Sequence, residues 1–187
     1  MDNPVITVIA GPAGSGKSTV TGGYPFPGVY VNADDIKRFR RCSDIEAEHE
    51  AELVKGNLLN MQKDFTYETA FSAESDLVFL EIAKNVGYSV ESIFVLTADP
   101  ELNVKRIKSH VLKGGFDVIK DKNHSKHKKS LQLLKRLVAL SNICVVIDNT
   151  GVPDVIFKKD SDEEIYLSND FWNEDEIKEL VYTYTRQ

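Results

Sequence analysis

Between Gly11 and Ser18 the chain reads Gly-Pro-Ala-Gly-Ser-Gly-Lys-Ser, matching the pattern G-x-x-x-x-G-K-[ST] in full. Such a loop works only between a buried strand and a helix, and both are present. Val5-Ile6-Thr7-Val8-Ile9-Ala10 is a continuous apolar, β-branched run, as expected of a strand buried on both faces. Lys17 to Thr21 then opens a helix. Glycines allow several N–H groups to turn inward around an anion, and a helix N-terminus adds its dipole. Lys17 supplies a mobile positive charge for β- and γ-phosphates, and Ser18 a hydroxyl ligand for Mg²⁺. Gly11, Pro12, Ala13, Gly14, Ser15, Gly16, Lys17, Ser18 and Thr19 are therefore read as a site for ATP or GTP. Chance produces the pattern in on the order of one chain in a hundred or two of this length; the flanking strand and helix make it rarer still.

Strand and helix signals alternate along the rest of the chain. Gly22 to Gly28 is too rich in glycine and proline for helix. Val29 to Asn32 reads as a second strand and Asp64 to Phe71 as a third. Ile93 to Leu96 reads as a fourth and Ile143 to Ile147 as a fifth. A helix from Ser43 to Met61 opens on a capping box, with Ser43 as cap and Glu46 three residues on. Ser75 to Asn85 is an amphipathic helix. Another starts at Asp99-Pro100 and runs to Gly114-Gly115, followed by a basic helix to Leu140. After Gly151 the texture changes to a hairpin over residues 155–167 and a helix from Glu174 to Tyr184. The expectation is an α/β three-layer fold: about five mostly parallel strands flanked by helices, plus the C-terminal hairpin and helix. Residues 1–187 form one domain, with a core at 4–151 and an appendage at 152–187.

Ligands bind such sheets at the C-terminal strand ends, and polar residues stand there. Asn32-Ala33-Asp34-Asp35 ends the second strand; Asp34 suits a base beside an acceptor hydroxyl, or caps the next helix, and Asp35 is its weaker alternate. Glu68 ends the third strand and would bind a substrate hydroxyl, assist a metal through water, or lie idle on the surface. Asp148-Asn149-Thr150 ends the fifth; Asp148 resembles a Walker-B aspartate, but a polar turn lining an adenine pocket, with Asn149 in it, is preferred. Arg106 suits charge on a moving phosphoryl group, or is a salt-bridged surface arginine. The run Lys120, Lys122, His124, Lys126, His127, Lys128 and Lys129 lines a phosphate site or is a wet helix face.

Composition bounds the partners. The net charge is −6 and no aromatics interleave with the basic run, which argues against nucleic acid. No apolar stretch is long enough for a bilayer, and the first residues carry no basic segment or cleavage signal, so a cytoplasmic location is expected. Cys42 and Cys144 have no metal-ligand spacing and read as idle thiols in a reducing compartment.

The ordered combination of GPAGSGKST, NADD, YETAFS, GYSVESIFVLTADPELNVKRI, KGGFDV, KKSL and VVIDNTG, over about residues 4 to 151, resembles the zeta toxin family of P-loop kinases, closest to its "predicted ATPase" branch. The resemblance implies a kinase that phosphorylates a small-molecule hydroxyl, with UDP-N-acetylglucosamine as the family's acceptor and an antitoxin as partner. It implies Asp34 as base, Glu68 in acceptor binding and Arg106 on phosphate. His110, Lys126 and Lys129 stand where the family has arginines, Phe116 where it has histidine, and Ala70 where it has threonine. Lysine keeps the charge without the guanidinium fork, and His110 is mostly neutral at pH 7. The nucleotide half is thus intact and the acceptor half altered, which points to a different acceptor or an impaired kinase; the alternatives are a nucleotide-binding protein that works through a protein partner and a slow NTPase switch.

Overall fold

The computed structural model describes residues 3–111 and 120–182, with the side chains of 110, 111 and 120–123 left aside. The elements run β1 (Val5–Ala10), α1 (Lys17–Val20), β2 (Val29–Val31), α2 (Ala33–Arg40), α3 (Asp44–Asn60), β3 (Phe65–Thr69) and α4 (Glu74–Asn85). They continue β4 (Ser89–Leu96), α5 (Pro100–Val111), α6 (Lys120–Leu140), β5 (Ile143–Asp148), β6 (Asp154–Lys159), β7 (Glu164–Tyr166) and α7 (Glu174–Val181). All strands join one sheet in the order β2-β3-β1-β4-β5-β6-β7. The first five are mutually parallel, and β6 and β7 add in antiparallel fashion.

Burial explains the placement. β1 lies between β3 and β4, and Ile6, Val8, Ile9 and Ala10 are fully buried, as an uninterrupted apolar strand requires. Helix α6 presents Ser130, Leu133, Leu134, Leu137 and Val138 to the core at helical spacing. Each fully buried Leu or Phe contributes about 1.5–3 kcal/mol, and the cluster runs from Phe65 and Tyr67 through Phe94 to Phe157 and Ile177. The C-terminal appendage therefore shares the central core.

Three elements differ from expectation. β4 starts at Ser89, four residues before its apolar run, because Val5 to Ile9 and Ile143 pair with it on both sides and Ser92 finds Ser141 Oγ at 2.8 Å. β3 stops at Thr69, and Phe71 has a φ of 50°. A short α2 occupies 33–40, capped by Asn32, whose side chain accepts the Asp34 N–H at 2.8 Å. The cap expected at Asp34 is thus supplied two residues earlier. The capping box at Ser43 forms as read, with Glu46 Oε2 accepting the Ser43 N–H at 2.8 Å. Among the described residues, no helix is long and apolar enough to cross a membrane.

Candidate functional site

The phosphate loop is held by contacts that only glycine permits. Gly11, Gly14 and Gly16 have φ of 139°, 76° and 91°. A Cβ on Gly11 would lie 2.0 Å from the Val95 carbonyl oxygen, and one on Gly16 would lie 2.3 Å from Asn149 Nδ2. The loop is thus pressed onto β4 on one side and onto the end of β5 on the other. Asn149 Nδ2 donates to the Ser15 carbonyl at 2.7 Å, and Arg106 Nη1 donates to the same oxygen at 3.4 Å. Arg106 and Asn149, chosen from distant sequence positions, meet on one carbonyl. The Ser15 hydroxyl is buried without a protein partner, a polar atom of the kind an anion cradle contains.

Lys17 is buried inside this loop. Its ammonium donates to the Gly11 carbonyl at 2.9 Å and lies 3.4 Å from that of Pro12. Glu68 Oε1 stands farther off, at 3.9 Å, and completes a largely buried ion pair, so the ammonium has both carbonyl and carboxylate partners. Burial lowers the Lys17 pKa, and the charges of Glu68 and then Asp34 push it back up. The field of Asp34 therefore reaches the loop interior, from the N-terminal turn of α2.

Glu68 is the hub of the opposite wall. It accepts from Ser18 Oγ at 3.0 Å, from the Tyr30 hydroxyl at 3.1 Å and from Asn32 Nδ2 at 3.2 Å. The Tyr30 pKa is raised to about 12, first by partial desolvation of its half-covered hydroxyl, with the Glu68 and Asp35 charges adding to it. Tyr30 and Asn32 escaped the sequence reading as site residues. The signal was available: Tyr30 on β2 and Asn32 just past its end are two apart in extended backbone, and the strand period puts them on one face. The loop after Glu68 is fixed from behind. Thr69 Oγ1 donates to Asp76 Oδ1 at 3.0 Å and accepts the Phe71 N–H at 3.0 Å.

The structure gathers Lys17, Ser18, Glu68, Arg106 and Asn149 around the loop, while Asp34 lies in the first turn of α2. Asp35 is exposed and pairs with Arg38 at 3.3 Å. Lys129 pairs with Glu74 at 2.9 Å, at the start of α4, while its neighbour Ser130 donates to the Ala70 carbonyl at 2.9 Å. Lys126 is exposed on α6. His127 is buried, and burial lowers its pKa. The side chain of His110 and all of Phe116 lie outside the described residues, as does the Gly114-Gly115 helix end. Asp148 is not turned toward the loop: it accepts from Thr150 N at 3.0 Å and from Asn169 Nδ2 at 3.0 Å.

This fold and this loop define a P-loop kinase-like α/β protein. Among solved structures, the chain is similar to AvrRxo1-ORF1:-ORF2 with ATP, at 13% identity and a TM-score of 0.72, over 99% of this chain and 65% of that one. It is also similar to the PezAT chromosomal toxin-antitoxin system of Streptococcus pneumoniae, at 15% identity and a TM-score of 0.61, over 97% and 79% of the two chains. The architecture expected from the zeta toxin resemblance is thus the one found, and the chain spans about two thirds of the AvrRxo1 chain's length. No protein-family model matches the sequence, and no curated protein matches it.

Proposed function

We propose that this chain is an ATP-dependent phosphotransferase that moves a γ-phosphoryl group to the hydroxyl of a small molecule. One observation carries the reading: the Ser18 hydroxyl donates to the strand-end Glu68, whose carboxylate also stands 3.9 Å from the ammonium of the loop's Lys17. The likeness in fold to a structure determined with ATP supports it.

The division of labour follows from position. The loop amides and Lys17 bind the β- and γ-phosphates, and Arg106 meets charge that grows on the phosphoryl oxygens. The acceptor oxygen forms its bond to the γ-phosphorus as the bond to the β,γ-bridging oxygen breaks, and ADP departs. The acceptor's proton passes to Asp34. Glu68, braced by Tyr30 and Asn32, orients the acceptor hydroxyl. Ser18 and Glu68 offer the hard oxygen donors that suit Mg²⁺, which when bound neutralises phosphate charge. A nucleotide sugar such as UDP-N-acetylglucosamine is the acceptor that the resemblance implies, and it heads the panel to be tried.

The second reading is a nucleotide-binding protein that acts through a protein partner of antitoxin type. The pairing of Lys129 with Glu74, away from any acceptor, favours it. Mass spectrometry of a metabolite pool incubated with ATP separates the two. Gain of one phosphoryl group with wild type and not with Asp34→Asn supports the kinase. Tight ATP binding without transfer to any metabolite supports the second reading, in which Lys17→Ala loses nucleotide and keeps its partner.

A further inference from the structure

The segment after β7 places one aromatic ring where the sequence motifs predict none. Asn169 uses both ends of its amide there. Its Nδ2 donates to Asp148 Oδ2 at 3.0 Å, and its Oδ1 accepts the N–H groups of Phe171 and Trp172, each at 2.9 Å. Asn169 also donates its own N–H to the Trp172 carbonyl at 2.9 Å. Trp172 packs inward against the core. Phe171 points the other way and is 48% exposed. Its ring edge lies over the end of β5: a Cβ on Gly151 would stand 3.6 Å from Phe171 Cε2.

The same strand end reaches the phosphate loop two residues earlier. Asn149 touches Gly16 and Ser15, while Thr150 Oγ1 accepts the Ala98 N–H at 2.8 Å at the approach to α5. Phe171 is thus linked to the phosphate loop through Gly151 and Asn149, two residues apart in the chain. The turn that carries its exposed ring is tied by Asn169 to the buried Asp148 carboxylate. An exposed aromatic face held near a phosphate cradle is a surface for a base, because stacking needs a flat apolar partner and little else. We propose that Phe171, delivered by the C-terminal segment, is the stacking platform for the nucleobase of the nucleotide whose phosphates the Gly11–Ser18 loop holds. This rests on the nucleotide-binding part of the function proposed above. Stacking reads a π-face and not a hydrogen-bond pattern, so ATP and GTP are both accommodated.

Calorimetric titration of the full chain with ATP, GTP and inorganic tripolyphosphate tests it. Phe171→Ala is expected to weaken ATP and GTP about tenfold and to leave tripolyphosphate unchanged, with Phe171→Tyr restoring wild-type affinity. Equal ATP affinity in wild type and Phe171→Ala overturns the platform alone. So does a wild-type chain that binds tripolyphosphate as tightly as ATP, whatever the variants do. A wild-type chain that binds neither ligand overturns the platform together with the nucleotide reading. Thermal melting of Phe171→Ala near the wild-type temperature shows that an altered affinity is local.

Discussion

The two walls of the site are built in opposite ways. The phosphate-loop wall is backbone pressed against backbone: Gly11 on Val95, Gly14 on Asn103, and Ser15 O under Asn149 and Arg106. The acceptor wall is a set of side chains meeting on one carboxylate, with Ser18 and Tyr30 exposed and Glu68 and Asn32 largely covered. Backbone contacts cannot be changed one at a time without moving strands, whereas a side-chain network can be rewired by single substitutions. The lesson is that the first wall is fixed by the fold, whereas the second can be altered residue by residue without moving a strand.

The sharpest test of the rigid wall is Gly11→Ala. Its methyl would sit inside the contact distance of a main-chain oxygen, at a φ that L side chains avoid. A loss of about 3 kcal/mol or more in urea unfolding is expected. A midpoint equal to wild type would show that the loop is free to move and would dissolve the contrast. Glu68→Ala should do the reverse. Ser18 and Tyr30 can turn to water while the covered Asn32 and Lys17 lose a partner, so unfolding stability falls by about 1–2 kcal/mol, less than for Gly11→Ala, while phosphoryl transfer falls about a hundredfold. Transfer at the wild-type rate would remove Glu68 from the acceptor wall.

Asn149→Ala is a smaller probe of the loop side. It removes the 2.7 Å bond to Ser15 O and leaves Arg106 at 3.4 Å. ATP affinity should drop about tenfold, the worth of about one hydrogen bond, with folding intact by circular dichroism. An unaltered dissociation constant would make Asn149 a spectator. The smallest effect belongs to α6. Burial makes His127 give up its proton more readily than its ordinary pKa of 6.5 implies, with His124 adding to this and Asp99 opposing it. As pH falls through about 6.5 the unfolded chain therefore takes up the proton first. Stability declines from there downward until the folded imidazole is charged as well. His127→Gln should flatten that part of the melting-temperature profile between pH 7 and 5; an unchanged slope would refer the decline to other groups.

The strand–loop–helix unit at 5–20 and the strand ends at Asp34, Glu68 and Asn149 were legible from residue order, because each depends on short-range pattern. The start of β4 was not. Ser89 to Ser92 hold a single apolar residue, Val90, and only pairing with β1 and β5 on both sides makes them strand. Nor was the hub at Glu68, since its partners come from residues 18, 30 and 32 and are brought together by the order β2-β3-β1. The C-terminal hairpin was recognised as an appendage, yet its addition to the main sheet beside β5, and so the link from Asn169 to Asp148, needed the full register.

By itself the sequence determined the existence of an anion cradle and the α/β class around it. Glycine spacing and hydrophobic runs act over a few residues, and their physical consequences follow wherever the chain goes. The tertiary structure decided which side chains share the cradle. It set Lys17 between the Gly11 carbonyl and the Glu68 carboxylate, tied Asp148 to Asn169, and brought Phe171 beside Gly151. Those outcomes depend on strand order and crossover, long-range choices that the packing of the whole core makes and no local pattern encodes.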